Sequence, residues 1–204
     1  MHDSPDLLRI SAPDAASRVA ALLARAFQYD PLMCYVIPNA EQRQRLLPYL
    51  ISLNVRYAML YGEVYATQGF EGVAVWLPPG RTAMTPWRMA HAGMFAAPLK
   101  MPWPALRRLA RVGAHTASLH ERCAPGPHWY LSQIGVEPSR QRQGIGSRLL
   151  APMSARIDAA GLPCYLETEN PANVPFYQRH GFRVVAESAA RGGGPRVYSM
   201  LRTG

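Results

Sequence analysis

The chain has 204 residues, 49% of them apolar and 17% charged, which is long enough to bury a core and too apolar for a disordered chain. Its formal charge of +9 is carried almost entirely by arginine, with Lys100 the only lysine. The arginines are scattered without a run of five or six, so no nucleic-acid partner is expected, and no apolar stretch is long enough to span a membrane. Cys34, Cys123 and Cys164 lie far apart, and the histidines show no ligand spacing, so no metal is expected. Cys164, inside an apolar run, reads as a small core residue. The polar start, Met1 to Pro5, does not suit a signal peptide, which makes the cytoplasm the expected compartment.

Leu7 to Ile10 reads as a strand. Asp14 reads as the N-cap of a helix whose Val19, Leu22, Leu23, Ala26 and Phe27 recur at helical spacing. Asp30-Pro31 breaks that helix, because proline pushes the residue before it out of the α region. A second helix is predicted from about Glu41 to Leu60, stopped by Gly62. Strands follow at Val64 to Thr67 and Val73 to Leu77.

Residues 84–122 read as two or three short helices broken at Pro98 and at Pro102-Trp103-Pro104. Their methionines, with Trp87 and Trp103, are either core packing or a mobile lid over an apolar substrate.

The second half is patterned most clearly. Trp129 to Val136 is a strand, Glu137 to Gln143 a turn, and Gly144 to about Ala160 a helix. Pro163 to Thr168 is a strand and Asn173 to His180 a short helix stopped by Gly181. Phe182 to Ala186 and Arg196 to Leu201 close the chain as strands across the loop Gly192 to Pro195. Strand, helix and strand at this spacing imply a parallel pair with a crossover helix, and the flanking hairpins make the sheet mixed. One domain over residues 1–204 is expected.

The turn Gln141-Arg142-Gln143-Gly144-Ile145-Gly146 follows a strand and opens a helix, where unpartnered N–H groups and the positive helix end favour an anion. Glycine at 144 and 146 removes side chains that would keep the anion away. A dinucleotide fingerprint would need glycine where Leu149 stands, and a P-loop would need a lysine that is missing here. Alone, the turn is a weak signal.

It is followed, after a helix and a strand, by Asn173-x-x-x-Tyr177-x-x-x-Gly181-Phe182. Together with Val136-x-Pro138-x-x-Gln141-x-x-Gly144-x-Gly146, this order resembles the GNAT superfamily of N-acetyltransferases across roughly residues 129–184. Trp129-Tyr130-Leu131, Gly135-Val136, Leu166-Glu167-Thr168 and Asn173 to Tyr177 are similar to its puromycin N-acetyltransferase subgroup. Residues 84–122 depart from that subgroup.

The resemblance implies an α/β (α+β) fold: a mixed, mostly antiparallel central sheet with a splayed parallel strand pair, flanked by helices. It implies acetyl-CoA as co-substrate, with its pantetheine arm against Ile134, Gly135 and Val136. Main-chain groups from Gln141, Arg142, Gln143, Gly144, Ile145 and Gly146 would hold the pyrophosphate, with Ser147 adding a hydroxyl. Asn173 would bond the cofactor near its thiol end or simply cap its helix. Tyr177 would be the general acid that protonates the departing thiolate, or else a buried aromatic packing its helix against the sheet. Glu167 is the base for the amine, or an inward carboxylate bound to backbone or Tyr130, and Glu169 is a second candidate. Residues 84–122 would be a helical segment on the substrate side. The expected reaction is acetyl transfer to a primary amine of a small molecule. The alternatives are a protein or peptide N-acetyltransferase, and a non-catalytic acyl-CoA sensor.

Overall fold

Prolines and asparagines punctuate the first half of the chain into helices. In the computed structural model, which describes residues 7–190 and 193–203, β1 (Leu7–Arg9) leads into α1 (Pro13–Ala26). The N-cap of α1 is Ala12, and no side chain caps it, so Asp14 belongs to the first turn instead of preceding it. There its charge still suits the positive helix end. Asp30 takes the extended conformation that Pro31 requires, and its carboxylate accepts from the Leu32 amide at 2.9 Å. It thereby starts a helix that sequence reading passed over, α2 (Pro31–Val36). Asn39 caps α3 (Ala40–Tyr61) through the Gln42 amide. The strands β2 (Glu63–Thr67) and β3 (Gly72–Leu77) follow as a hairpin.

Residues 84–122 are less fragmented than expected. They comprise α4 (Pro86–His91), a 3-10 stretch (Met94–Leu99) and one 21-residue helix, α5 (Trp103–Cys123). Pro104 falls in the first turn of α5, where a missing N–H costs nothing, so it starts the helix and does not interrupt it. The tryptophans do not pack in a core: Trp87 is 80% exposed and Trp103 67%, while Met101 is buried.

The second half follows its predicted order: β4 (Trp129–Val136), α6 (Ile145–Ala159), β5 (Cys164–Thr168), α7 (Val174–Arg179), β6 (Arg183–Ala189) and β7 (Arg196–Arg202). Gly192 and the Met1 to Pro5 segment lie outside the described residues. The strands form one seven-stranded sheet in the order β1-β2-β3-β4-β5-β7-β6. Every neighbouring pair is antiparallel except β4 and β5, so the fold is the mixed α/β architecture expected.

Two cores lie on opposite faces of this sheet. Val19, Leu22 and Leu23 of α1, with Leu47, Ile51 and Val55 of α3, cover Val73 and Val75. Ile145, Leu149 and Met153 of α6 cover Trp76, Leu131 and Leu166 from the other side. Cys164 is buried in this second core, and burial pushes its thiol up to about 12, which leaves it an inert packing residue. Among the described residues no helix is long and apolar enough to cross a membrane.

Candidate active site

The parallel pair is short. Only Trp129 with Cys164 and Tyr130 with Tyr165 are in register, after which β4 and β5 part. A bulge assists the parting: Val75 pairs with Gln133 but Trp76 pairs with Leu131, so Ser132 is an extra residue on β4. An extra residue in one strand bends it and increases its twist. Among the described residues, the β5-side main-chain edge of β4 from Ser132 onward, including Ile134, Gly135 and Val136, has no strand partner. A Cβ on Gly135 would lie 2.7 Å from Leu23 Cδ2 and 3.0 Å from Ala26 Cβ. Glycine there lets α1 approach the strand.

Beyond Val136 the chain turns through Pro138–Arg140 into the exposed run Gln141 to Gly144. Arg142 and Gly144 both have positive φ, at 62° and 77°. Left-handed residues in a turn can turn successive N–H groups toward one concavity, a nest suited to an anion, and this turn abuts the N-terminus of the 15-residue α6. Gly144 meets nothing within 4 Å, so its role is conformational. Gly146 meets a second demand: a Cβ there would lie 3.0 Å from the Phe176 ring, so glycine makes room for α7. Gln141 spends its side-chain amide on the Val136 carbonyl at 3.2 Å, leaving its main chain to the turn. Ser147 Oγ lies 2.9 Å from His180 Nε2. If His180 carries its proton on Nε2, the serine hydroxyl still has a proton to donate to a phosphate.

The other strand end gathers ionisable groups. Asn173 does not cap α7; Asn170 caps the preceding turn through the Ala172 amide, and Asn173 Nδ2 lies 3.5 Å from Thr168 Oγ1 at the end of β5. Tyr177 is 6% exposed, with Phe176 and Phe182 edge-on to it at 5.2 and 6.0 Å. Burial pushes its phenol well above the ordinary range, and the charges of Asp30 and Glu169 push it further. Glu169 itself is raised to about 8 by burial, then by Asp30 and Glu167. Glu167, with a side chain only 6% exposed, is raised to about 7 by burial, while the neighbouring Tyr130 and Tyr165 hydroxyls oppose the rise. Asp30 and Glu169 thus lie near the Tyr177 phenol and Glu167 lies near Glu169, with no arginine or lysine paired to Glu167 or Glu169 in any ion pair among the described residues.

Asp30 was missed as a site residue. Its proline neighbour marked a helix break, but only the fold brings it to Glu169, across more than a hundred residues. His120 on α5 was likewise missed; it stacks on Tyr165 at 4.3 Å and lies 4.0 Å from Glu167.

Comparison with known proteins bears on the fold and the family. Residues 108–184 match the family model of the acetyltransferase (GNAT) domain. An uncharacterized N-acetyltransferase of Schizosaccharomyces pombe is 27% identical over 182 residues, covering 85% of this chain and 72% of that protein. Among solved structures, a histone acetyltransferase and related acetyltransferase from Corynebacterium glutamicum superposes with a TM-score of 0.66 at 21% identity, over 98% of this chain and 97% of that one. An agmatine N-acetyltransferase superposes with a TM-score of 0.59 at 17% identity, over 97% and 98%. At these identities the two structures establish the shared fold.

Proposed function

We propose that this chain, an acetyl-CoA-dependent acyltransferase whose residues 108–184 match the GNAT acetyltransferase domain model, works as a single domain over residues 1–204 and acetylates the primary amine of a small molecule. The observation that carries the reading is the strand pair that parts after two residues, with an anion nest at the end of one strand and a carboxylate–phenol cluster at the end of the other. A linear substrate with pyrophosphate at one end and a thioester at the other suits that spacing of chemistry.

In this reading the main chain of Gln141 to Gly146 holds the pyrophosphate. The free edge of Ile134, Gly135 and Val136 receives the pantetheine arm as a strand would. Asn173, next to Thr168, bonds the arm near its thiol end. The acceptor arrives as an ammonium ion, drawn by Asp30, Glu167 and Glu169. Glu167 takes one proton from it, and the freed amine attacks the thioester carbonyl. As the carbon–sulfur bond breaks, the Tyr177 hydroxyl gives its proton to the leaving thiolate and regains one from the nitrogen that has become an amide. An ammonium beside Asp30 and Glu169 offsets the charges that hold the phenol pKa up, so acceptor binding itself makes Tyr177 a better acid. Positioning amine and thioester together supplies much of the remaining rate.

The acceptor is best found with a panel: acetyl-CoA with puromycin, agmatine, spermidine, phenethylamine and a lysine-containing peptide, following free thiol. Puromycin belongs there because Leu166-Glu167-Thr168 and Asn173 to Tyr177 resemble its acetyltransferases. Thiol release with any small amine is the expected result. Release with the peptide alone would replace this reading with a protein acetyltransferase, and tight acetyl-CoA binding without release on any amine would make the chain a sensor.

A further inference from the structure

Two histidines that the mechanism has not used adjoin its base. His120, near the C-terminal end of α5, places Nε2 2.6 Å from Nε2 of His128. His128, just before β4, places Nδ1 2.6 Å from the carbonyl oxygen of Gly126. The carbonyl can only accept, so His128 Nδ1 must carry a hydrogen. In neutral His128, Nε2 is then bare and must accept from His120 Nε2–H. Neutral His120 is therefore bare at Nδ1, the atom 4.0 Å from Glu167 Oε1. Its ring packs against Tyr165 at 4.3 Å and Tyr130 at 4.6 Å, the two tyrosines beside Glu167.

We propose that His120 is the exit for the proton Glu167 removes from the acceptor, with His128 holding His120 in the tautomer that can receive it. The proposal rests on the reading of Glu167 as the base. Ammonium plus thioester gives amide, thiol and one proton, and that proton must leave before the next cycle. Protonated Glu167 gives it to His120 Nδ1, restoring the carboxylate and forming an imidazolium whose Nε2–H still donates to His128. The imidazolium then gives its Nδ1 proton to water and keeps Nε2–H on His128; the His120 side chain is 14% exposed. The 4.0 Å gap exceeds a hydrogen bond, and such contacts tighten once substrate is bound.

The titratable groups facing the pair are Glu167, Tyr165 and, further along, Glu169 from β5 and its end, Tyr130 from β4, and Cys123 from α5 near Tyr165. Burial, then His128, lowers His120 to about 4, so near neutral pH its Nδ1 is unprotonated and open to a proton. His120 and His128 act through Glu167 and are positioning residues in that sense, since neither meets the substrate.

Two measurements test this. In NMR of the full chain carrying isotope-labelled histidine near neutral pH, His120 should be protonated at Nε2 alone and His128 at Nδ1 alone; a hydrogen on His120 Nδ1 overturns the proposal. In kinetics with the fastest amine of the panel, His120→Gln keeps a side-chain N–H for His128 but has no basic nitrogen. It should lower kcat roughly 10- to 100-fold near neutral pH, leave KM for acetyl-CoA unchanged, and regain rate when imidazole is added. An unchanged kcat, or a loss that imidazole does not restore, overturns the relay. Glu167→Gln is run beside it: if that variant keeps full rate, the base reading falls. A slowed Glu167→Gln with an unaffected His120→Gln sinks the relay alone.

Discussion

Tyr177 and Glu167 make separable demands on the kinetics, because one gives a proton late and the other takes one early. Tyr177→Phe keeps the ring between Phe176 and Phe182 and removes only the hydroxyl. It should lower kcat by roughly 10²- to 10⁴-fold with acetyl-CoA affinity within about twofold, read by thiol release and by binding titration. Glu167 must be ionised to act, and its carboxyl is raised to about 7, so kcat/KM of the wild type should climb through that pH and then level. In Glu167→Gln that limb should vanish along with most of the rate. Glu169 is raised to about 8, so the folded state binds its proton more tightly than the unfolded chain does. Its favourable contribution is complete below the unfolded carboxyl pKa and is lost as pH rises through about 8. Thermal melts should therefore find Glu169→Gln more stable than wild type above about pH 9 and no more stable near pH 4. The sequence marks Glu167 and Tyr177 as candidates because each falls within a patterned run after β4. It does not mark Asp30, whose charge reaches Glu169 only through the fold, with no local spacing to announce it.

At the scale of elements, the two glycines of the turn fail in different ways. Gly144 needs its left-handed φ of 77° to open the nest, so Gly144→Val should cost about 1–2 kcal/mol of stability and weaken acetyl-CoA by about 10-fold or more. Gly146→Ala leaves the nest alone and presses on Phe176, the neighbour of Tyr177. It should show mainly in kcat, with acetyl-CoA affinity close to wild type, when both variants are compared by titration and by turnover. Sequence reading gave both glycines the same role, because a glycine reveals that a side chain is unwelcome but not what would meet it. The same limit governs proline: Pro98 and Pro104 read alike as breaks, yet one lies inside a 3-10 stretch and the other in the first turn of α5. Patterned strands such as Trp129–Val136 were legible to the residue because alternation, bounding turns and burial agree there.

At the scale of the molecule, the sheet is two halves, β1 to β4 and β5 to β7, joined edge to edge by two residue pairs. On one face α6 spans the join, with Leu149 and Met153 in a core that runs from Trp76 of β3 to Met200 of β7. On the other face α5 crosses it, reaching from α2, where Arg108 donates to the Val36 carbonyl, to β6, where His115 meets Ser188. The gap stays open because helices hold the halves together without main-chain pairing. A substrate that pairs with the free edge of β4 would supply part of the missing ladder, and would bind the folded chain alone. With acetyl-CoA at about 100 times its dissociation constant, linkage gives roughly 2.7 kcal/mol, which for a chain of this size is a rise in Tm of about 5 to 10 °C. The gain should be local in hydrogen exchange: amides of Ile134 to Val136 on the β5 side slow markedly, as do those of Gln143 to Gly146, while β1 and β6 at the outer edges change little. Protection spread evenly over the sheet would mean that the cofactor stiffens the molecule from another site, and the gap between β4 and β5 would lose its role.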